Sequence, residues 1–308
     1  MKNTLLLFGI SFFLSTTVLF AQTTEAEGDL LEEQDTELEG WQTGGLFSLG
    51  FSQVSLTNWA AGGQGSLAGN LLVALNADYS KGSFVWNNAF ELGYGLMRQG
   101  DESLVKTDDK IDLTSKLGRQ ASEHWYYAGL LNFRTQMMPG YNHPDDEDKI
   151  SDLLAPAYLL GAIGMDYKPA ADFSLFLSPA TAKITIVNDQ RLADAGAFGV
   201  DPGSKSRSEF GGYVRATYRT DIRENITLQS RLDLFSNYTD KPQNIDVNWE
   251  NLLLMRITQY ITVSFATHLI YDDDIKIGID SNDDGEIDKF GPRVQFKQIL
   301  GIGLSYSL

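Results

Sequence analysis

The chain has 308 residues, no cysteine, and 41 acidic against 24 basic side chains, a formal charge of −17. An excess of acid on this scale offers no basic face to neutralise phosphates, which excludes nucleic-acid binding. The lack of Cys excludes a disulfide framework and a lipid-modified cysteine alike.

Residues 1–21 read as a secretory signal peptide: Lys2, an apolar run from Leu5 to Phe20, then Ala21 before a polar stretch. A retained anchor is the alternative, and the small residue followed at once by acids favours cleavage. Cleavage removes one Lys and no acid, so the mature charge becomes −18. Residues 22–43 form an acidic leader, with eight acids and no base between Glu25 and Glu39. So little apolar surface cannot order such a segment. It reads as a solvated periplasmic leader, with a lumenal plug or a docking tail as alternatives.

Residues 44–308 alternate with period two. In Ser66 to Tyr79 the odd positions include Leu67, Leu71, Val73 and Leu75, and the even ones Ser66, Asn70, Asn76 and Asp78. In Phe84 to Arg98, Phe84, Trp86, Phe90, Leu92 and Tyr94 alternate with Asn87, Ala89, Glu91 and Gly93. The pattern recurs at Ile111–Leu117, Trp125–Met137, Phe210–Ile222, Ile226–Tyr238, Val247–Ile257, Ile261–Tyr271 and Val294–Leu308. Leu46–Leu56, Leu153–Tyr167 and Phe173–Val187 alternate less well. A bilayer offers no hydrogen-bond partners, so non-helical chain crosses it only as a closed sheet with alternating lipid-facing and lumen-facing residues. The fold expected is all-β, a transmembrane antiparallel β-barrel of about twelve strands, an even number as bacterial barrels have.

The links support this. Short ones at 80–83, 119–123, 168–172, 221–225 and 258–260 alternate with longer or turn-rich ones at 57–65, 99–103, 139–150, 188–206, 239–246 and 272–292. Outer-membrane barrels have short periplasmic turns and long external loops. At the C-terminus, Gly303, Tyr306 and Leu308 resemble the signal read by the barrel assembly machinery, with Leu308 where an aromatic is usual.

Four stretches point to a family: Phe51–Leu56 with Asn58–Gly63, Lys106–Asp112, Ala193–Val200 and Gly291–Phe296. They resemble a Bacteroidetes outer-membrane family catalogued as domain of unknown function 3078. The resemblance implies a barrel in a Gram-negative envelope and implies no reaction.

One loop has the spacing of a calcium ligand set. Asp280, Asn282, Asp284, Glu286 through its carbonyl, and Asp288 fall at the first, third, fifth, seventh and ninth positions, with Gly285 at the sixth. The twelfth position is Gly291 rather than the bidentate Glu, and the flanks read as strands, so a solvated acidic loop is the alternative. Asp272, Asp273 and Asp274 lie where they could supply the missing carboxylate. Calcium is the one candidate cofactor.

The alternation assigns Glu91, Lys110, Asp112, Lys116, Arg134, Glu209, Arg215, Arg219, Arg231, Asp233, Glu250, Arg256 and Lys297 to the lumen. On the lipid face a mid-plane Arg or Lys would cost on the order of 2–4 kcal/mol. Interleaved charges of both signs either cross-link and fill the lumen or line a narrow hydrophilic pore. The mixture favours a largely occluded lumen.

Enzyme chemistry is not expected. The barrel phospholipase resembles this chain in strand number and needs a Ser, His and Asn on its outer wall. Here His124 and His268 face inward and His143 lies in an external loop. Trp86, Tyr94, Trp125, Tyr127, Tyr218, Tyr238, Trp249, Tyr260, Tyr271 and Tyr306 read as interfacial girdles. The sequence therefore describes an outer-membrane barrel with a structural or docking role and an envelope protein as partner. A porin-like channel and a calcium-dependent lipid-acting enzyme are the alternatives.

Overall fold

The computed structural model describes residues 39–56, 64–141, 148–258, 261–279 and 288–307. Its strands are β1 (Gly40–Val54), β2 (Ser66–Lys81), β3 (Phe84–Gln99), β4 (Val105–Gln120), β5 (Trp125–Thr135), β6 (Gly140–Tyr141), β7 (Lys149–Ser151) and β8 (Ala157–Ala170). They continue with β9 (Phe173–Ile186), β10 (Ser206–Arg223), β11 (Ile226–Asn237), β12 (Ile245–Arg256), β13 (Ile261–Tyr271), β14 (Ile277–Ile279), β15 (Lys289–Gly291) and β16 (Gln295–Ser307). One short helix, α1 (Gln190–Asp194), lies between β9 and β10.

Twelve of these strands close into an antiparallel barrel in the order β1, β16, β13, β12, β11, β10, β9, β8, β5, β4, β3, β2. The seam joins β1 to β16, with Leu46 opposite Ser307 and Leu49 opposite Leu304. The pairs β6–β7 and β14–β15 are small ribbons inside two long connections. Short hairpins gather at the end that holds both strand termini of the barrel, and the long links gather at the other. In the β2–β3 turn, Lys81 pairs with Phe84 across a two-residue loop, and Gly82 supplies the positive φ of 57° that such a turn requires.

The outer wall is apolar. Phe47, Leu49 and Phe51 on β1, Leu131 on β5 and Ile163 on β8 are exposed, whereas the alternate residues Ser48, Asn70 and Asn132 are buried. Aromatic residues collect near the strand ends: Trp41 packs on Tyr79 and Trp86 at 5.3 and 5.6 Å, and Trp125 on Tyr167 at 4.7 Å. An apolar band flanked by aromatic rings is the surface of a membrane-spanning barrel. Among the described residues no helix is long and apolar enough to cross a membrane.

Three boundaries differ from the sequence reading. The barrel begins at Gly40 rather than residue 44, because Trp41 belongs to the girdle and pairs with Tyr79. β4 runs from Val105 rather than Ile111, its outer end carrying the polar run Lys106 to Lys110. β8 begins at Ala157 rather than Leu153, after Pro156, which has no N–H to offer a ladder.

The weak alternation of β9 has a definite cause. Its register shifts between Leu177 and Ala180 against β8 and between Ser178 and Thr181 against β10, two residues of β9 opposing one on each neighbour. Pro179 lies in this bulge, where a missing N–H costs no ladder bond. Ser178 Oγ donates to the Ile163 or Ala180 carbonyl at 2.9 and 3.0 Å. Gly164 faces the bulge so closely that a Cβ there would come 2.0 Å from the Leu177 carbonyl oxygen. Inward positions are therefore Ser174, Phe176 and Ser178 before the bulge, and Thr181, Lys183 and Thr185 after it.

Candidate functional site: a lumen filled by paired charges

The alternation that gives lipid one face leaves the other to fill a narrow interior, and the side chains there are buried and polar. Glu91, Asp112, Glu209 and Glu250 are each no more than 5% exposed, and Arg215, Arg231 and Asp233 no more than 9%. Burying ions at this level requires partners. Lys110 lies 2.6 Å from Glu91. Arg134 Nη2 lies 2.9 Å from Asp112, whose other oxygen accepts from Asn132 Nδ2 at 2.6 Å. Arg215 forks onto Asp233, Nε and Nη2 donating at 2.6 and 3.2 Å, and Tyr213 Oη donates to the same carboxylate at 2.6 Å. Arg231 pairs with Glu250, and His268 Nε2 stands 3.6 Å from the latter.

Several pairs join strands that are not neighbours in the ring. Arg134 on β5 lies 3.6 Å from Glu250 on β12, five places away in the ring. Such residues meet only through the interior. Lys116 on β4 reaches Asp166 on β8 at 2.8 Å. Lys183 on β9 reaches Asp246 on β12 at 2.7 Å and Asp272 beyond β13 at 3.5 Å. An apolar wedge from β5, β8, β9, β10 and β11 fills the space beside these charges: Ala128, Leu130, Ala162, Phe176, Tyr213 and Phe235. The lumen holds a cavity of about 90 Å³, room for a handful of waters, lined by Asn76, Asp78, Asn87, Lys116, Thr217 and Arg231 among others.

The outer mouth is spanned by the link between β9 and β10. Asp189 caps α1, its Oδ1 accepting from the N–H groups of Arg191 and Leu192 at 2.9 and 3.1 Å. Leu192, Ala193 and Val200 pack with Val187 and with Ala155 of the β5–β8 connection. On its far side Arg207 donates to the Gly199 carbonyl at 3.1 Å and pairs with Asp274 at 2.5 Å and Glu209 at 3.3 Å. The link is thus held to both sides of the ring.

Of the residues the sequence assigns to the lumen, Arg219 is half-buried near the short-turn end of β10. Arg256 and Lys297 stand opposite Thr262 and His268 on the same inward face, and both are exposed, Arg256 because it is the last residue of β12 and Lys297 because it stands near the loop end of β16. Periodicity missed Asp166, Lys183, Asp246 and Arg207. The bulge reverses the parity of Lys183, Asp166 lies in a stretch whose alternation is poor, and Arg207 and Asp246 lie just ahead of the alternating stretches Phe210–Ile222 and Val247–Ile257.

Asp280 to Ile287 of the candidate calcium loop lie outside the described residues, and Asp288 alone is placed, its N–H donating to the Ile279 carbonyl at 2.9 Å. The three acids proposed to complete that site are committed elsewhere: Asp272 to Lys183, Asp274 to Arg207, and Asp273 to Lys241 and Asn244 at 3.2 and 2.8 Å. Among the described residues no group of three or more His, Asp or Glu could hold a metal. Slight burial raises the Asp273 carboxyl, and the hydrogen bonds of Lys241 and Asn244 with the charges of Lys241 and Lys276 outweigh it, holding the group below the ordinary carboxylate range. His268 is in the lumen and His124 stacks edge-on to Tyr167 at 6.4 Å; His143 lies outside the described residues.

The lipid face carries two polar clusters that sequence reading did not assign. On β3 and β4, Trp86 Nε1 donates to Ser115 Oγ at 2.9 Å and Ser115 Oγ to Asn88 Oδ1 at 2.8 Å. On β11 and β12, Trp249 Nε1 donates to Ser230 Oγ at 3.0 Å and Ser230 Oγ to Asn251 Oδ1 at 2.7 Å. The two stand on opposite sides of the ring.

Residues 51–141 match the profile of a family described as "Protein of unknown function (DUF3078)". No curated protein matches the chain. Among solved structures, an outer membrane channel from Pseudomonas putida F1 is similar at 12% identity and a TM-score of 0.40, over 88% of this chain and 95% of that one. NanC porin is similar at 10% identity and a TM-score of 0.38, over 85% of this chain and 100% of that one. The translocator domain of the autotransporter NalP from Neisseria meningitidis is similar at 8% identity and 0.35, over 90% and 91%.

Proposed function

We propose that this chain is an outer-membrane barrel whose lumen is closed at rest, and that it serves the envelope as a structural and docking element. The observation that carries this is the contact of Arg134 with Glu250 across the interior, in a lumen where Arg231, Asp233, Asp112 and the Phe176 wedge occupy the remaining width. A permanently open pore would leave such charges to water. The structured β9–β10 link over the outer mouth supports the same reading.

Planar-bilayer recordings of the purified full-length mature protein test it. The wild type is expected to show no steady open level, and an Arg231→Gln/Glu250→Gln variant to show intermittent openings. A steady wild-type conductance would sink the closed reading. A narrow hydrophilic channel is the second reading, favoured by the polar mid-lumen cavity. It predicts that weakening the Arg207 attachment of the outer link is enough to open a path.

A further inference from the structure

Among the described residues, buried lumenal carboxylates follow one rule with one exception. Glu91, Asp112, Asp166, Glu209, Asp233 and Glu250 each lie within 4 Å of a Lys or Arg. Asp78 is as buried as these, 4% exposed, yet the side chains that hydrogen-bond it are the neutral carboxamides of Asn76 at 3.2 Å and Asn87 at 2.9 Å, beside a backbone bond from Asn88. Asn87 faces it directly across the β2–β3 ladder. The Asn87 carboxamide oxygen is itself buried without a hydrogen-bond partner among the described residues. Asn76, Asp78 and Asn87 all open on the mid-lumen cavity of about 90 Å³. An isolated buried carboxylate is costly in proportion to its missing counter-charge.

We propose that Asp78 anchors a site for one small monovalent cation, an alkali ion or a primary ammonium group, completed by the Asn87 carboxamide oxygen and by water in the cavity. The ligand chemistry is that of a hard cation, one carboxylate oxygen with neutral oxygen donors. The charge of the site sets its valence. Neighbouring lumenal carboxylates are already neutralised, so a single positive charge balances Asp78, and a divalent ion would leave an excess in a low-dielectric interior. Lys168 is the one rival for this role. Its amine lies in the same lumen, 3.9 Å from Asp166 and 5.7 Å from the Tyr126 ring, and its charge acts on Asp78 from a distance.

The test uses the full-length mature protein in lipid nanodiscs at fixed ionic strength, replacing choline chloride stepwise by sodium, potassium or methylammonium chloride. The unfolding midpoint of the wild type is expected to rise by about 2–4 °C and to saturate, as linkage to a site on the folded state requires. Asp78→Asn, which keeps the shape and removes the charge, is expected to lose the dependence while keeping the heat-modifiable migration of a folded barrel. The alkali and methylammonium arms separate an inorganic ion from an amine. Crystals soaked in rubidium are expected to show anomalous density at Asp78 and Asn87. A flat wild-type midpoint with no rubidium peak overturns the site. A wild type that ignores the cations while Lys168→Met responds to them assigns the counter-charge to Lys168 and overturns the site, a cation response retained in Asp78→Asn places the ion elsewhere and overturns it too, and a larger rise with calcium at equal ionic strength overturns the monovalent assignment.

Discussion

The two faces of the barrel wall satisfy polar groups without bulk water by different means. Inside, ions are paired with ions, as Arg215 is with Asp233 and Arg231 with Glu250. Outside, the polar clusters are neutral chains of single donors and acceptors, Trp86 to Ser115 to Asn88 and Trp249 to Ser230 to Asn251. A neutral chain closed on itself tolerates hydrocarbon because no charge has to be desolvated. An ion tolerates a narrow lumen only while its partner remains. The cost of removing one member should therefore differ sharply between the faces, although the hydrogen-bond lengths are alike.

The largest effect is expected at Glu250, where Arg231, Arg134 and His268 converge. Glu250→Leu leaves two guanidiniums facing a lost carboxylate and should cost about 3–5 kcal/mol, read from urea-dependent folding into lipid vesicles. Arg231→Met added to it removes one orphaned charge and should recover at least half of the loss. A double variant as unstable as the single one would mean that filling, rather than pairing, is what Glu250 contributes.

The same contrast explains what was readable in the sequence. Lipid imposes a strict rule on one face, so period-two alternation located all twelve barrel strands. The lumen imposes a looser rule. Parity placed Asp112 and Arg134 inward, but no local pattern can say that Arg134 also meets Glu250 across the ring. At β9 parity itself failed, because the bulge around Pro179 shifts the inward set from Phe176 to Lys183. Phe176 and Phe235 were further obscured by chemistry, since an apolar residue on an amphipathic strand reads as lipid-facing and these two fill the lumen wedge. The poor alternation in Phe173–Val187 was the available sign of a bulge, and a proline inside a central strand is the residue that marks one.

On the lipid face the expected losses are smaller. Ser115→Ala removes the acceptor of Trp86 and the donor to Asn88, and Ser230→Ala does the same for Trp249 and Asn251. Each should cost about 1–2 kcal/mol in the same vesicle assay, the scale of a hydrogen bond made in the membrane. Similar losses at the two sites would show that neutral chains behave alike on opposite sides of the ring. A loss matching that of Glu250→Leu would erase the distinction between the faces.

The smallest effect belongs to the water-exposed loops, where pairing is neither lumenal nor lipid-facing. Asp273 takes Lys241 and Asn244 from the β11–β12 link, and these partners hold its carboxyl below the ordinary range against a small opposing push from burial. A carboxylate depressed in the folded state stabilises it fully above the unfolded value, about 3.9 for Asp, and loses that contribution as pH falls through the lower folded value. Water screens so exposed a pair, so global stability should not register the transition. The readout is local: the Asp273 carboxyl carbon, followed by NMR in nanodiscs, should titrate below about 3.9 and move upward in Lys241→Gln. A titration unchanged by that substitution would place the depression on Asn244 and Lys276, and would leave ion pairing a property of the lumen alone.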